Sequence, residues 1–341
     1  MTNPARILIL GSRRDSHVLR VTAALRQRYE ADVKVLDHDA LEDFALSFGR
    51  DGNLELRTGD VRHNPGLVWI RPKIRPKSGV TFQGHAEGHV RRSQWLNSYR
   101  EIAACFGERV YNNHQDCLLD YKKFFQMQIA VRCGFRVPVG VISNNRKLLL
   151  EFVDARKSSI TKSIGASAIM KIDAKGRIFH QSMLTARIDP ELLHGCSEES
   201  VRCCPALVQE EIEKDFELRI YADRSRVFAI SLFSQEHGST RVDWRIGETF
   251  VRKEIFPVTP GLRARLVALI RKLGLAYGVI DVIVDKQGTS WFLECNPEGQ
   301  WASIDTLHRG ALASHIAHDM VHRIGAERGM EAHLQRQETY S

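Results

Sequence analysis

Apolar and polar residues alternate along this chain in two rhythms, and the rhythms change twice. The N-terminal "RILILGS" is a short apolar run that ends at a turn residue, the signature of a strand. In "DSHVLRVTAALRQRY", Val18, Val21 and Leu25 recur at helical spacing, and "DVKVLDHDAL" returns to a strand pattern. This β-α-β opening predicts a parallel sheet with helices on its faces. A further strand is expected over Leu67–Ile70, closed by "RPKIRPKSG". After a loop containing His85 and His89, "HVRRSQWLNSYREIAACFG" reads as a helix with Trp95, Tyr99, Ile102 and Phe106 on one stripe. "RVYNN" gives a last short strand, so a first domain is expected over residues 1–115.

The second stretch opens with a helix, "CLLDYKKFFQMQIAVRCG", stopped at Gly134. "FRVPVGVISNN" leads through a strand into the helix "RKLLLEFVDAR". Strands "SSITKS", "ASAIMKI" and "RIFHQSML" follow, with "DAKG" as a turn between the last two. Residues 116–208 form this central unit. From Ala206 the strands lengthen: "ALVQEEI", "FELRIYA", "VFAISLFSQ", "YGVIDVIVD" and "SWFLECN". One helix interrupts them, "PGLRARLVALIRKLG", with Pro260 at its start and Gly274 past its end. "GALASHIAHDMVHRIG" reads as a closing helix. The third unit is set at 209–330, with a polar tail over 331–341, and the fold class is α/β and α+β.

In the third unit, polar residues interrupt otherwise apolar strands. "YGVIDVIVDKQGTSWFLECN" reads as two strands around "DKQG", an antiparallel hairpin. With a loop of two residues, Gln287 and Gly288, Ile283 pairs with Phe292 and Asp281 with Glu294. Asp281, Glu294 and Asn296 then share one face. A loop of three residues would shift the register by one and move Glu294 off Asp281. Two carboxylates facing each other across a sheet repel, so either one is protonated or a cation lies between them. Asp, Glu and an Asn amide are hard oxygen donors that suit Mg²⁺. The competing reading leaves one acid facing water at the sheet margin.

"KDFELRIYA" sets Glu217, Arg219 and Tyr221 on one face, opposite Phe216, Leu218 and Ile220. An arginine at mid-strand needs an anion, either a phosphate or a neighbouring carboxylate such as Glu217. Lys162, followed by Gly165 and small residues in "SSITKSIGAS", could meet a phosphate with its ammonium and nearby backbone N–H groups, and Lys122 and Lys123 sit near the start of a helix; for each lysine taken alone, the competing reading is solvent exposure. Neither a Walker A loop nor Gly-x-Gly-x-x-Gly is present. His315, His318 and His322 share a face of the last helix but lack the further ligands of a zinc site.

The 341 residues carry a formal net charge of +8, which favours anionic partners. The basic residues are scattered, without a basic run or aromatic-interleaved strand, which argues against nucleic acid. No apolar run is long enough for a bilayer, and seven cysteines without a Cys-x-x-Cys pair point to a reduced, cytoplasmic protein.

Taken in order, Lys123, Lys162, "VQEEI", "ELR", Asp281 and "LECNPEG" resemble the ATP-grasp ligases. Within that family the chain most resembles the graspetide (microviridin-type) peptide cyclases, through "VWIRP", "KFFQMQIAVRCGFRVPVGVISN", "VQEEIEKDFELRIY", "FSQEHGSTRVDWR" and "FLECNPEGQW". The sequence departs from the pattern at "VWIRPK", where a second arginine would precede the proline, and in its glycine-poor loop after Lys162. The resemblance implies an ATP-grasp fold, with an N-terminal β-α-β domain before two α+β subdomains that grip ATP. It implies that Lys123 and Lys162 hold ATP phosphates, and that Glu210 and Glu211 offer hinge backbone groups to adenine. Glu217 would bind the ribose, Arg219 would face the transferred phosphate, and Asp281, Glu294 and Asn296 would hold Mg²⁺. Arg245, in "DWR", would grip a substrate carboxylate, with Asp243 orienting it. The implied activity joins Asp or Glu carboxylates of an acidic ribosomal precursor peptide to Ser/Thr hydroxyls or Lys amines. A homodimer is compatible with it. Two other activities fit the same motifs: addition of an amino acid to a protein or small molecule, and ATP binding without catalysis.

Overall fold

The computed structural model describes residues 4–40, 42–72, 85–112, 122–165, 168–172 and 178–338. The chain groups into two compact units, residues 1–117 with 300–341, and residues 118–299. The boundary read at 208/209 lies inside the second unit, and residues 300–330 group with the first. The "RPKIRPKSG" segment after Pro72, the "CLLDY" start of the central helix and the "DAKG" turn lie outside the described residues.

In the first unit the chain runs β1 (Arg6–Gly11), α1 (Ser16–Tyr29), β2 (Asp32–Asp37), β3 (Ala45–Phe48), β4 (Leu54–Thr58), β5 (Val61–His63), β6 (Leu67–Ile70), α2 (His85–Phe106) and β7 (Val110–Tyr111). Strands β2-β1-β6-β7 form the expected parallel sheet, and β3-β4-β5 form a small antiparallel sheet that the sequence pattern did not reveal. Helix α1 begins where it should because the Asp15 side chain accepts the His17 N–H, a standard N-cap. Tyr99 and Ile102 of the predicted stripe are buried against the sheet, with Trp95 and Phe106 packed beside them. α2 starts at His85, so His85 and His89 belong to a helix rather than a loop.

The second unit contains α3 (Lys123–Arg132), β8 (Gly140–Ser143), α4 (Arg146–Asp154), β9 (Ser159–Lys162), β10 (Ala168–Ile172), β11 (Ile178–Ser182), β12 (Ala186–Arg187), α5 (Pro190–Gly195), α6 (Glu198–Arg202), β13 (Ala206–Glu210), β14 (Lys214–Asp223), β15 (Val227–Leu232), β16 (Lys253–Ile255), α7 (Pro260–Lys272), β17 (Tyr277–Asp285) and β18 (Ser290–Asn296). Strands β12-β9-β13-β8 make one sheet, β10 and β11 a hairpin, and β16-β15-β14-β17-β18 a five-stranded sheet. One face of the five-stranded sheet is wholly apolar at its centre, while the other mixes the charges of Glu217, Arg219 and Asp281 with buried residues such as Tyr221, Ile230 and Val279. Leu218, Ile220, Ile280, Val282, Phe292 and Cys295 bury that face against α7 and α3. α7 supplies Leu262, Leu266, Leu269 and Ile270, one helical stripe, between the Thr259 cap and Gly274. The opposite face carries the charged residues of the candidate site.

The chain returns to the first unit with α8 (Ala302–Leu307) and α9 (Ala311–Glu338). The tail expected from Glu331 is therefore helical to Glu338, because no proline or glycine stop lies in "EAHLQRQE". α9 packs along α1, where the Tyr29 hydroxyl meets His318 Nδ1 at 3.2 Å. Trp301 is fully buried with its ring edge-on to His17. Among the described residues no helix is long and apolar enough to cross a membrane.

Candidate active site

Three neighbouring strands bring one row of charges together. Arg219 on β14 is the register partner of Asp281 on β17, and Asp281 is the partner of Glu294 on β18. The Arg219 Nη1 donates to both Asp281 oxygens, at 2.8 and 2.6 Å. Lys123 from α3 closes the row, its Nζ 2.5 Å from Glu294 Oε2. The Asn296 amide donates to Glu294 Oε1 at 3.0 Å. The acids expected to repel thus each have a side-chain cation, and Arg219 pairs with Asp281.

The Asp281–Glu294 pairing arises by a different route from the one expected. The loop has three residues: Asp285 and Thr289 close it, the Asp285 N–H donates to the Thr289 carbonyl, and Gly288 takes φ +77°. That register pairs Val282 with Phe292 and Ile283 with Trp291, correcting the Ile283–Phe292 pair. It would also put Leu293 opposite Asp281. A bulge between Val282 and Asp281 absorbs Leu293, and Glu294 regains its place opposite Asp281. The bulge also explains why Phe292 and Cys295, three apart, share one core.

A second bulge lies in β14, where the register shifts between Lys214 and Phe216. It brings Lys214 round to the face of Glu217, with Nζ 2.6 Å from Glu217 Oε1. The Ser234 hydroxyl donates to the same oxygen at 2.7 Å, and Lys214 also donates to the Val242 carbonyl. Glu217 is therefore buried and engaged. Sequence reading missed Lys214, because strict alternation places residues three apart on opposite faces.

The other candidates surround this row. Lys162 ends β9, half-buried, and burial lowers its pKa. Glu294 opposes that shift while Lys123 and Lys214 reinforce it, which places all three charges near the ammonium. Burial also works against ionisation of Glu294, yet the Lys123 charge and hydrogen bond, the Asn296 amide and Lys162 together hold its carboxyl at about 2. Burial pushes the Asp281 carboxyl up; Arg219 opposes this and Glu294 adds to it. At the strand end that carries "VQEEI", the Glu210 N–H donates to the Val139 carbonyl and the Glu211 N–H to the Ser158 carbonyl. The Glu210 carboxylate accepts the Val139 N–H, and Arg187 grips Glu211 through two nitrogens. Asp243 forks onto Arg245, its Oδ1 2.8 Å from Nε, and accepts the Thr185 N–H. The charges of Glu294 and Asp281 reach Arg245, which remains half-exposed. Trp244 beside it is half-buried.

The "NPEG" that follows the strand is a turn. The Gly299 N–H donates to the Asn296 carbonyl at 3.1 Å, with Pro297 at the second position, where its fixed φ suits the bend. A Cβ at Gly299 would lie 2.4 Å from Val279 Cβ, the strand partner of Asn296. The turn stops β18 directly after its last polar residue.

Among the described residues no group of three or more His, Cys, Asp and Glu is arranged to hold a metal ion. The donors offered here are two carboxylates and one amide. That set fits Mg²⁺, a hard cation that keeps water and substrate phosphates as its remaining ligands.

No known family model matches the chain, and no curated protein matches it. Solved structures do. A RiPP-associated ATP-grasp ligase from Chryseobacterium gregarium, solved with ADP and a leader and core peptide, is 20% identical with a TM-score of 0.78, covering 92% of this chain and 95% of its own. The macrocyclase MdnC from Microcystis aeruginosa, bound to the precursor peptide MdnA, is 22% identical with a TM-score of 0.76, covering 93% and 99%. D-alanyl-alanine synthetase A from Vibrio cholerae is 11% identical with a TM-score of 0.59, covering 96% and 99%. The chain has the ATP-grasp fold, as its motifs implied.

Proposed function

We propose that the protein is an ATP-dependent ligase that activates Asp or Glu side chains of an acidic, ribosomally made precursor peptide and joins them to Ser/Thr hydroxyls or Lys amines, closing rings. The observation that carries this reading is the row Arg219–Asp281–Glu294–Lys123 on the polar face of the five-stranded sheet. The greater likeness to peptide ligases than to the D-alanyl-alanine synthetase supports the choice of substrate.

A carboxylate is a poor electrophile. In the first step a substrate carboxylate oxygen attacks the γ-phosphorus of ATP, ADP leaves, and an acyl phosphate forms. In the second, a hydroxyl or amine attacks the acyl carbon, loses its proton and expels phosphate. The peptide loses one water per ring. Asp281, Glu294 and Asn296 would hold Mg²⁺, which when bound neutralises phosphate charge. Lys123, Lys162 and Arg219 would neutralise the transferring phosphoryl oxygens. Arg245, oriented by Asp243 through Nε and Nη2, would hold the substrate carboxylate with Nη1 and the second hydrogen of Nη2. The N–H groups of Glu210 and Glu211 are already donated, so their contact with adenine would use carbonyl oxygens. Glu217, tied to Lys214, would accept from the ribose. We place the enzyme in the reducing cytoplasm, alone or as a homodimer, without a nucleic-acid partner.

The test is mass spectrometry of a candidate acidic peptide incubated with enzyme, ATP and Mg²⁺. The expected result is loss of one water per ring from the peptide. Glu294→Gln should abolish it while leaving the fold intact. An unchanged peptide mass, or normal turnover by E294Q, would count against the reading.

A further inference from the structure

We infer that Gln126 is a positioning residue of this site: its side-chain amide sets the register between α3, which carries Lys123, and β18, which carries Glu294 and Asn296. The inference rests on the function proposed above. β18 ends the strand order of the five-stranded sheet, with β17 on one side and, on the other, a single bridge between Trp291 and Arg136. The backbone groups on its outer side need other partners. Gln126 is fully buried there and completes both halves of a ladder rung with Cys295. Its Oε1 accepts the Cys295 N–H at 2.8 Å, and its Nε2 donates to the Cys295 carbonyl at 2.9 Å. Further along the edge, the Phe292 N–H donates to the Arg136 carbonyl at 2.8 Å. A helix side chain thus stands in for a missing strand.

The task calls for a primary amide of this length. It presents one donor and one acceptor on a planar group, whereas a carboxylate only accepts and an ammonium only donates. Two parallel hydrogen bonds also fix direction. The neighbouring Lys123–Glu294 pair cannot do this, because an ammonium is a point charge on a flexible stem. Gln126 lies one turn after Lys123 on the same helix face, and Cys295 lies between Glu294 and Asn296. The rung therefore locks the helix turn that carries the cation to the strand segment that carries the ligands. A slip of one residue along the helix is about 1.5 Å, enough to take Lys123 off its partner. Fully buried and engaged with the Cys295 backbone, Gln126 would act through Lys123 and Glu294.

The experiment is a double-mutant cycle on the full chain, reading binding of a non-hydrolysable ATP analogue with Mg²⁺ by calorimetry, alongside urea unfolding. Gln126→Met keeps the volume and removes both hydrogen bonds. It should weaken analogue binding about tenfold, the effect of one to two kcal/mol of lost buried hydrogen bonding. In a Lys123→Ala background the same change should cost less than about twofold, because the group it positions is gone. A structural role alone would lower the urea midpoint and leave affinity untouched in both backgrounds. Affinity of Q126M within about twofold of wild type, or an equal loss in both backgrounds, would overturn the inference. Should Q126M fail to fold, Gln126→Glu, which still accepts from Cys295, takes its place in the cycle. A wild-type protein that does not bind the analogue defeats the functional reading itself; normal wild-type binding with an unaffected variant defeats the positioning role alone.

Discussion

Lys162 carries a charge that the fold disfavours. Burial holds its pKa below the ordinary lysine value, Glu294 draws it back, and Lys123 and Lys214 push it lower. Because the folded value lies below the unfolded one, the ammonium destabilises the free protein at neutral pH. Stability should therefore rise as pH climbs through the lowered pKa towards the usual lysine range of about 10.4. Nucleotide affinity should move the other way, falling across the same window as the cation that faces the phosphates is lost. Titrating a non-hydrolysable ATP analogue from neutrality to about pH 10 checks the sign. Lys162→Arg, which keeps its charge throughout, should flatten the profile. An alkaline fall of equal steepness in wild type and variant would remove Lys162 from the phosphate site.

At the scale of the elements, the active face depends on departures from regular strand geometry. The bulge that absorbs Leu293 and the one beside Lys214 flank β17 on both sides, and each moves a charged residue onto the face that carries Arg219 and Asp281. The turn after Asn296 is the third such feature. Gly299→Ala puts a methyl group where Val279 already stands, so the turn must shift. The cost should be roughly 1–3 kcal/mol by urea unfolding. Because Val279 pairs with Asn296, the Mg²⁺ concentration needed for half-maximal turnover should rise as well. Gly288→Ala offers a comparison, since the added Cβ meets nothing and only the positive φ is strained. It should cost about 1 kcal/mol and leave the Mg²⁺ requirement unchanged. Equal Mg²⁺ shifts in both variants would dissociate the turn from the cation site.

For the whole molecule, the net charge of +8 and the half-exposed Arg245 favour an acidic peptide approaching through solvent. Such an encounter is screened by salt, while the largely buried pairs within the site are screened much less. Raising ionic strength from about 50 to about 200 mM should therefore increase the peptide KM several-fold and change the KM for ATP little. Steady-state kinetics with each substrate varied in turn separates the two. A rise in both to the same degree would place the charge effect on the fold rather than on peptide capture.

Local patterning was enough to read most of the helices and long strands, because burial of one face writes its period into the sequence. The stripe on α7, the apolar run of β17 and the faces of β14 all show it. Arg219, Asp281 and Glu294 stood out for the same reason, polar residues where the period calls for apolar ones, whereas Lys123 and Lys162 were singled out only by the order of motifs they share with the ATP-grasp ligases. The small β3–β5 sheet was not, since short half-exposed strands leave little pattern to read. The partners of each charge were also hidden. A register depends on where a bulge falls, and a bulge is settled by which side chains can fill the core. Hence Lys214 joined Glu217, Arg219 took Asp281, and Gln126 closed the edge of β18, all through contacts between residues that strand alternation or chain distance keeps apart. The choice of chemistry was written locally as misplaced polarity; the pairing of those groups required the packed sheet, because long-range contacts alone fix which charge meets which.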